Sequence, residues 1–590
     1  MTETRNSYLV SKALKTFMFA SVLASLAQRL ATMTDAIVVS NLIGPDAISA
    51  INVVTPIITL FPTISILFGI GGSVLAAKAI GRRDTEEANR MFTAAITAAF
   101  ICSIILTAIF YCLTPEIVAL VCPKDSRFFD MAVSFMHVMS LSAAPMIVGF
   151  TLQSLVKTDG NPRLVMIAVM SSTVLNVVLD IVFIKYFGMG IAGSAWGTII
   201  CFVFSLSVCL THFHRSHSSF RLQFAWKRMG TDVKRCITEG FPMSINTLMT
   251  GVCIFGFNSI VIHSLGADGM YVWSVCLQLL MLIQLMLAGV GSSIYSIGGM
   301  LIGERDMTGL NILVRRVLAY SGIAILALVL MMEVCPEIFG NLFGGSTSGI
   351  TEMLHRALRI FSLVLLPYTV IAILNALYQI LGYRSTSIVI SIAQLAMMVL
   401  FVWLFSLISP AMLWWGYPAS GFLLMAAVFA FTWCMHLRRP EIAPVTLIPQ
   451  EVEEGQNLNF SVRLTDDDIV ISLGQITDFL HKCDISRQTA YNVRLCCEEL
   501  LYNILKFAVK KHPHKHFIDI HIRCTDSSVT LLLKDDGRPF NPILKETPEG
   551  MEHLGLRLVN SASQKMTYRY MFDQNMVYIT FPSNPSVIHN

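Results

Sequence analysis

Two carboxylic acids interrupt apolar stretches in the first half of this 590-residue chain. Asp35 lies in the run FMFASVLASLAQRLATMTDAIVVSNLI, and Asp180 lies in the run LNVVLDIVFI. An ionisable group inside an apolar span costs several kcal/mol unless it faces a cavity or a partner. We therefore interpret the pair as a candidate site for a proton or another small cation. The alternative is that Asp35 lies near the outer interface and is simply hydrated.

Two uncharged polar residues accompany these acids. Asn176 lies four residues before Asp180, so a helix would place both on one face. Thr198 lies early in the next apolar run. If the first and fifth spans run outward and the sixth runs inward, all four groups lie at a similar depth in the outer half of the membrane. Such a cluster can hold a proton together with its hydrogen-bond partners.

Motifs near the C-terminus point to a different chemistry. In RLCCEELLYNILKFAV, Glu499 and Asn503 are four residues apart, so both can face one ligand on a helix. An Asn carbonyl suits Mg²⁺, and a neighbouring Glu could orient a water or a hydroxyl nucleophile. In LLLKDDGRPFNP, Asp535 and Gly537 end a strand-like run, where a carboxylate could accept a hydrogen bond from an adenine amine.

A glycine-containing segment completes this set. Gly550 and Gly555 lie in EGMEHLGLRLV just before a helix-like stretch, where backbone groups can approach phosphates. Taken singly the motifs are weak, because ExxxN is usually an exposed helix face, DDG is usually a turn and a glycine before a helix is usually a cap. Their order and close spacing are the specific feature.

The composition indicates which elements carry these residues. Hydrophobic residues make up 54% of the chain and charged residues 14%, which is typical of a polytopic α-helical membrane protein. A span needs about 20 mostly apolar residues. Twelve runs qualify, at residues 15–43, 48–80, 93–113, 131–156, 164–187, 191–213, 237–264, 270–302, 314–336, 356–381, 386–408 and 412–435.

The chain also repeats itself. Gly81 and Asp84 of the IGRRD turn recur 222 residues later as Gly303 and Asp306 of IGERD. The same offset relates other positions over more than a hundred residues, which indicates a tandem duplication. An even number of spans in each half makes the repeat parallel. Counterparts of the polar cluster are apolar or small, since Asp35, Asn176, Asp180 and Thr198 fall on Phe257, Met398, Val402 and Ser420. We therefore expect an ion site in the first half only.

Charge and missing motifs narrow the function. Most Lys and Arg fall on one side of the predicted spans, which by the positive-inside rule puts both termini in the cytoplasm of a multi-pass cell-membrane protein. The net charge is only +4, which gives no support to nucleic-acid binding. No GxxxxGK[ST] occurs, so an ATP-binding-cassette pump is excluded.

The composition changes after residue 440. A Pro- and Glu-containing linker is predicted over 441–459, followed by a small α/β domain over 460–590. Alternating runs predict strands within 517–524, 529–534 and 576–581, and a 3.6-residue pattern predicts a helix over 486–509.

Residues 1–440 resemble the multidrug and toxic compound extrusion (MATE) family. The resemblance is carried by TMTDAIVVSNLIGPDAISA, IGRRD, LVKTDGNP, LNVVLDIVFIKYFGMGIAGSAWGT and EGFPMSI. It implies twelve helices in two six-helix lobes, 1–220 and 221–440, and export of organic cations or other amphiphiles against a proton or sodium gradient. It also implies that the coupling ion binds at Asp35, Asn176, Asp180 and Thr198. The second-lobe acids of some sodium-coupled members are absent, which favours a proton.

The tail resembles the ATP-binding superfamily of gyrase and the histidine kinases (the GHKL or Bergerat fold), and most of all its anti-sigma-factor serine kinases. This implies ATP and Mg²⁺ as cofactors, Glu499 as the catalytic base and Asn503 as the Mg²⁺ ligand. The nucleotide-binding positions implied are Asn503, Lys506, Asp535, Gly537, Gly550 and Gly555. The phosphate loop is short, and Glu552 and His553 stand where a glycine pair is common.

Three functions remain open from the sequence. The first is a cation-coupled exporter with an ATP-binding regulatory tail. The second is a transporter-like sensor whose tail is a serine/threonine kinase acting on a cytoplasmic partner that resembles an anti-sigma antagonist. The third is a flippase of lipid-linked precursors, which the near absence of Lys and Arg from the spans disfavours. Whether the protein is an enzyme is left undecided.

Overall fold

The structure is a computed structural model that describes residues 6–43, 45–121, 124–125, 129–214, 218, 220–335, 337, 348–450, 456–508, 516–541 and 563–583. Its contacts divide the chain into two compact units. One unit is Phe17–Pro449, and the other joins Met1–Thr16 to Gln450–Asn590. The N-terminal residues thus group with the tail, whereas the sequence placed them in the first transporter lobe.

The larger unit is helical, because its apolar runs leave the backbone no other way to satisfy its hydrogen bonds inside a membrane. Its helices are α1 (Tyr8–Leu42, which begins in the other unit), α2 (Pro45–Ile58), α3 (Leu60–Gly81), α4 (Thr85–Cys112), α5 (Thr114–Ala119), α6 (Phe129–Ser140), α7 (Ala143–Thr158), α8 (Pro162–Ile181), α9 (Gly190–Leu210), α10 (Trp226–Ser293), α11 (Gly299–Gly303), α12 (Met307–Val334), α13 (Ser348–Ser362), α14 (Leu365–Ile380), α15 (Arg384–Ile408) and α16 (Gly416–Arg438).

Ten of the predicted spans are recognisable. Among the described residues, nine helical stretches are long and apolar enough to cross a membrane, and the bent pair α6–α7 makes a tenth. The other two predicted spans, 237–264 and 270–302, fall mainly in α10, which has 68 residues and a non-helical break at Gly266. The polytopic helical class is confirmed, and the count of twelve stays a prediction.

The two repeats build the same corner. Arg83 and Arg305 both adopt left-handed backbone, with φ of 66° and 58°. The next residue in each case, Asp84 or Asp306, caps the following helix by accepting a hydrogen bond from a backbone N–H three residues on. A positive φ is unusual for a residue as large as Arg. Its occurrence at both equivalent positions follows from the repeated IGRRD and IGERD motifs.

The equivalent glycines of the two repeats also meet. A Cβ on Gly81 would clash with the carbonyl oxygen of Met300, and a Cβ on Gly303 would clash with the carbonyl oxygen of Lys78. Small residues let helix backbones approach closely in membranes. The ends of α3 and α11 are therefore packed directly against each other in the larger unit.

The tail folds as an α/β domain. Its elements are β1 (Gln456–Arg463), α17 (Asp466–Lys482), α18 (Arg487–Asn503), β2 (Phe517–Cys524), β3 (Ser528–Asp535), β4 (Lys565–Met571) and β5 (Gln574–Pro582). The strands form one antiparallel sheet in the order β1-β2-β3-β5-β4. The three predicted strands are confirmed, and so is the predicted helix, which is capped by Ser486.

The core of the tail explains this arrangement. Alternate residues of the strands, such as Ile520 and Leu531, join Ile476 of α17 and Leu500 of α18 in one buried apolar cluster. A strand directs successive side chains to opposite faces of a sheet. Both helices therefore cover the same face, which is the face toward which the odd-numbered residues of β3 point.

Candidate functional site

The structure places the two membrane acids in one site. The Ser194 hydroxyl on α9 donates to Asp35 Oδ1 over 2.8 Å. Asp180, at the end of α8, interacts electrostatically with Asp35 on α1. Residues 145 positions apart in the sequence are thus brought together by the packing of α1, α8 and α9.

Asp180 is the more unusual of the two. It is fully buried, and neither of its carboxylate oxygens has a hydrogen-bond partner among the described residues. A buried carboxylate normally has several hydrogen bonds, so its two oxygens fit a proton or a small cation. A Cβ on Gly197 would lie 2.7 Å from Asp180 Oδ1, so this position must be a glycine for the carboxylate to keep its place. A π-helical turn, Val182–Tyr186, follows directly.

The other two predicted residues differ. Asn176 is buried and lies with Asp180 beside the Cys201 thiol, so it belongs to the cluster. Thr198 is half-buried, and no hydrogen bond joins it to either acid in the described part of the chain. Ser194, which lies one helical turn earlier on the same face of α9, makes the hydrogen bond to Asp35 instead. Sequence reasoning missed Ser194 and Cys201, although their spacing from Thr198 was visible.

The equivalent place in the second repeat is an apolar cluster. Phe257, the counterpart of Asp35, packs with ring centroids 5.3 Å from Trp273 and 5.1 Å from Tyr417. Met398 and Val402, the counterparts of Asn176 and Asp180, are buried in the same cluster. Aromatic and aliphatic packing therefore fills the space that polar groups occupy in the first repeat.

A buried ion cluster lies near the crossing of α3 and α11. Glu239 of α10 is buried and accepts from Arg384 Nε over 3.0 Å and from Arg384 Nη2 over 2.7 Å. Lys78 Nζ of α3 lies 3.4 Å from Glu239 Oε1. The Gln379 side chain donates to the Glu239 carbonyl, and the Tyr295 hydroxyl donates to Gln379 over 3.1 Å. The cluster joins Lys78 of the first repeat to residues of the second.

In the tail, Glu499 and Asn503 share a face of α18 as predicted. Asn503 Nδ2 donates to Glu499 Oε1 over 2.7 Å and to the Glu499 carbonyl over 2.8 Å. This orientation leaves the Asn503 side-chain carbonyl without a hydrogen bond to any described residue, so it is available to a cation. Lys506 is exposed on the π-helical turn that follows, Ile504–Ala508.

Asp535 lies at the end of β3 on the same sheet face as α18. Its Oδ1 accepts from the Gly537 backbone N–H over 2.8 Å and from Asn575 Nδ2 over 2.9 Å. Oδ2 accepts no hydrogen bond within the described ranges, so it can accept one from a ligand. Burial raises the pKa of Asp535 to about 6, although the hydrogen bonds from Asn575 and Gly537 oppose this. A desolvated acceptor beside a glycine turn fits an adenine amine.

Asn575 was missed by sequence reasoning. Besides holding Asp535, its amide donates to the Arg538 carbonyl over 3.0 Å, and its Oδ1 accepts from the Tyr568 hydroxyl over 2.7 Å and from the Phe540 N–H over 3.2 Å. Asn575 therefore organises the turn after β3 from its position on β5, some forty residues later in the sequence. Gly550 and Gly555 lie outside the described residues.

The paired helical repeats define the larger unit as a polytopic α-helical membrane unit, and the tail is a small α/β domain. The MatE family model matches residues 20–182 and 242–404, two segments displaced by the same 222 residues found in the sequence. A histidine kinase-like ATPase domain matches residues 467–581, which implies ATP binding. The chain belongs to the MATE family of integral membrane proteins and carries a histidine kinase-like ATPase domain at its C-terminus.

Two bacterial relatives are similar to this chain in sequence. The multidrug export protein MepA of Staphylococcus saprophyticus is 27% identical over 206 residues, which is 35% of this chain and 46% of MepA. The chain thus matches about half the length of that relative. The Probable multidrug resistance protein YoeA of Bacillus subtilis is 21% identical over 453 residues, which covers 73% of this chain and 96% of YoeA.

Solved structures agree on the fold. A MOP superfamily transporter from Pyrococcus furiosus superposes with a TM-score of 0.67 at 21% identity, covering 74% of this chain and all of that one. An outward-facing multidrug resistance MATE family transporter superposes with a TM-score of 0.67 at 22% identity. The superposition covers 73% of this chain and 98% of that transporter.

Proposed function

We propose that this protein is a proton-coupled exporter of amphiphilic or cationic compounds, regulated by ATP bound to its tail. The observation that carries the proposal is Asp180, a buried carboxylate without a hydrogen-bond partner among the described residues and next to Asp35. Two close carboxylates repel each other when both are ionised, and a shared proton removes that repulsion. Proton binding and release therefore change the energy of packing α8 against α1 and α9.

Alternating access follows from this change. The close contact of Gly81 with Gly303 and the Glu239 ion cluster support a conformation that is closed at one face. Most Lys and Arg lie on one side of the predicted spans. We assign this side, which includes the closed face, and both termini to the cytoplasm. A proton entering from outside would displace a bound compound, and the transporter would then open inward.

The test uses inside-out vesicles, in which export appears as uptake of a cationic dye into the lumen, driven by a lumen that is either acidic or rich in sodium relative to the bath. Asp35→Asn and Asp180→Asn each keep the size of the side chain but remove the charge, so both are expected to abolish proton-driven transport. Asp130→Asn is the matched control, because Asp130 is an exposed acid at the start of α6. Unchanged transport in the two site variants, or sodium-driven transport alone, would contradict the proposal.

The tail is proposed to bind ATP with Mg²⁺. Asp535 would accept a hydrogen bond from the adenine amine, while the Asn503 carbonyl would hold Mg²⁺ beside Glu499. Bound nucleotide would supply a phosphoryl group for transfer or hydrolysis. Lys506, Gly550 and Gly555 are proposed phosphate-side positions. Binding of a fluorescent ATP analogue to the full-length protein tests this, and Asn503→Ala should weaken the Mg²⁺-dependent part of the affinity.

A second function for the tail is favoured by one contact. The carboxylate of Glu499 is held 2.7 Å from Asn503, where it can accept a proton from a hydroxyl nucleophile. This arrangement suits a serine/threonine kinase acting on a cytoplasmic regulatory protein. Glu499→Gln should then abolish phosphotransfer while leaving dye efflux and ATP binding intact. Loss of efflux in the same variant would instead favour ATP turnover as part of transport regulation.

A further inference from the structure

The N-terminal residues are an integral part of the tail unit. The backbone N–H of Asn6 donates to Ser461 Oγ on β1 over 2.8 Å, and Gln574 Nε2 on β5 donates to the Leu9 carbonyl over 2.7 Å. The Tyr8 ring packs against Phe517 of β2 with centroids 5.6 Å apart. Contacts to three different strands fix the first turns of α1 within this unit.

The strongest of these contacts converge on Asp536. Its Oδ2 accepts from Lys12 Nζ over 2.5 Å and from the Tyr8 hydroxyl over 2.9 Å, and its Oδ1 lies 2.8 Å from His516 Nδ1. The Asp536 side chain is 1% exposed. Burial by itself would raise the pKa of this carboxyl, but the hydrogen bonds from Lys12 and His516 outweigh it and hold the pKa below its ordinary value. Lys12 is therefore the counter-charge of a buried anion.

Asp536 directly follows the proposed adenine-binding residue. Leu531, Leu533 and Asp535 alternate toward the face covered by α17 and α18. Because successive side chains of an extended chain point to opposite faces, Asp536 points away from that face, toward the first turns of α1. Asp535, which is proposed to bind adenine, is thus adjacent in the chain to Asp536, which accepts hydrogen bonds from the first turns of α1.

The same helix continues toward the ion site. α1 has 35 residues, which corresponds to about 52 Å of helix, against about 30 Å for the hydrocarbon core. Its first turns can therefore lie beyond the membrane while Asp35 lies within it.

We propose that Lys12 and Tyr8 are positioning residues for the nucleotide site, and that through them nucleotide binding is coupled to the first membrane helix. The inference rests on the proposed binding of ATP by the tail. When Lys12 and Tyr8 hold Asp536, the turn from Asp535 to Gly537 is preorganised for adenine. By thermodynamic linkage, nucleotide that binds preferentially to this conformation of the turn also stabilises the contacts of Tyr8 and Lys12 at the start of α1.

The test measures affinity of a fluorescent ATP analogue with Mg²⁺ for the full-length protein in nanodiscs. Lys12→Ala is expected to weaken binding about tenfold, within the usual range of coupling between two sites. Lys12→Arg should restore most of the affinity, because it returns the positive charge. Lys15→Ala is the matched control, since Lys15 is an exposed lysine on the same helix. Tyr8→Phe removes one hydroxyl and should give a smaller loss in the same direction.

Two further measurements separate coupling from loss of structure. Nucleotide should slow hydrogen exchange of the amides of residues 8–16 in the wild type and should do so less in Lys12→Ala. In an Asp536→Asn background, Lys12→Ala should add no further loss of affinity. Exchange of the β3 amides shows whether a variant has kept its fold. If Lys12→Ala has lost its fold, Tyr8→Phe serves as the test variant in its place.

The outcomes are distinguishable. If the wild type binds nucleotide but the Lys12 and Tyr8 variants match it in affinity and in exchange of residues 8–16, the coupling is refuted and ATP binding stands. If the wild type binds no nucleotide, the proposed ATP binding fails and the coupling fails with it.

Discussion

The Asp535→Asn variant tests the assignment of the nucleotide site most directly. Burial raises the pKa of Asp535 from an ordinary 3.8 to about 6, which corresponds to about 3 kcal/mol at neutral pH. The folded tail thus bears the energetic cost of an ionised, desolvated carboxylate. An Asn at this position can keep both hydrogen bonds, because the donors from Gly537 and Asn575 both reach the same oxygen.

The pH dependence has a definite sign. Between about pH 4 and pH 6 the folded tail keeps a proton on Asp535 that the unfolded chain releases, so stability falls as pH rises through this window. About 1 kcal/mol of that loss is expected between pH 5 and pH 7. Asp535→Asn should remove this component and raise the stability of the tail at pH 7 by up to about 3 kcal/mol.

The same variant should lose nucleotide. In the variant, the side-chain amide nitrogen would occupy the position of Oδ2. Two N–H donors, this amide and the adenine amine, would then face each other without an acceptor. Affinity for the ATP analogue should fall at least tenfold, since leaving buried polar groups unpaired costs about 1–3 kcal/mol. In the wild type the affinity itself should fall as the pH is lowered below 6, because protonation removes the acceptor.

Hydrogen exchange of the β3 amides in the full-length protein, corrected for the intrinsic rate at each pH, gives the local stability. Asp536→Asn is the matched control and should change stability in the opposite direction, because the hydrogen bonds to Asp536 stabilise its ionised form. The reasoning is refuted if Asp535→Asn is less stable than the wild type at pH 7, or if both show the same change between pH 5 and pH 7.

Three further variants test the membrane unit. Gly197→Ala would place a Cβ 2.7 Å from Asp180 Oδ1 and should reduce proton-driven efflux at least tenfold, whereas Gly149→Ala, whose nearest neighbour would be 3.9 Å away, should leave efflux unchanged. Glu239→Gln should lower the stability of the unit by about 2 kcal/mol in thermal unfolding, less than for a fully buried pair because one of its partners is partly exposed. Gly81→Ala should separate the closed face and increase labelling of cysteines introduced there, and unchanged labelling would contradict the proposed role of the glycine crossing.

The sequence by itself determined the elements and their repetition. Apolar runs, capping residues and alternating strands are set by neighbours along the chain, so they can be read without a structure. The 222-residue offset aligned Arg83 with Arg305, and the structure gives both residues a left-handed backbone. It also predicted that Phe257 stands where the first repeat has Asp35, and the structure shows that position filled by aromatic packing.

Only the tertiary structure decided which polar groups meet. Ser194 and Thr198 occupy one face of α9, and the relative rotation and depth of α1 and α9 determine that Ser194 reaches Asp35. Such rotations depend on side-chain packing over whole helix surfaces, which no local pattern encodes. The role of Asn575 and the pairing of Lys12 with a tail carboxylate have the same origin, because each joins residues far apart in the chain.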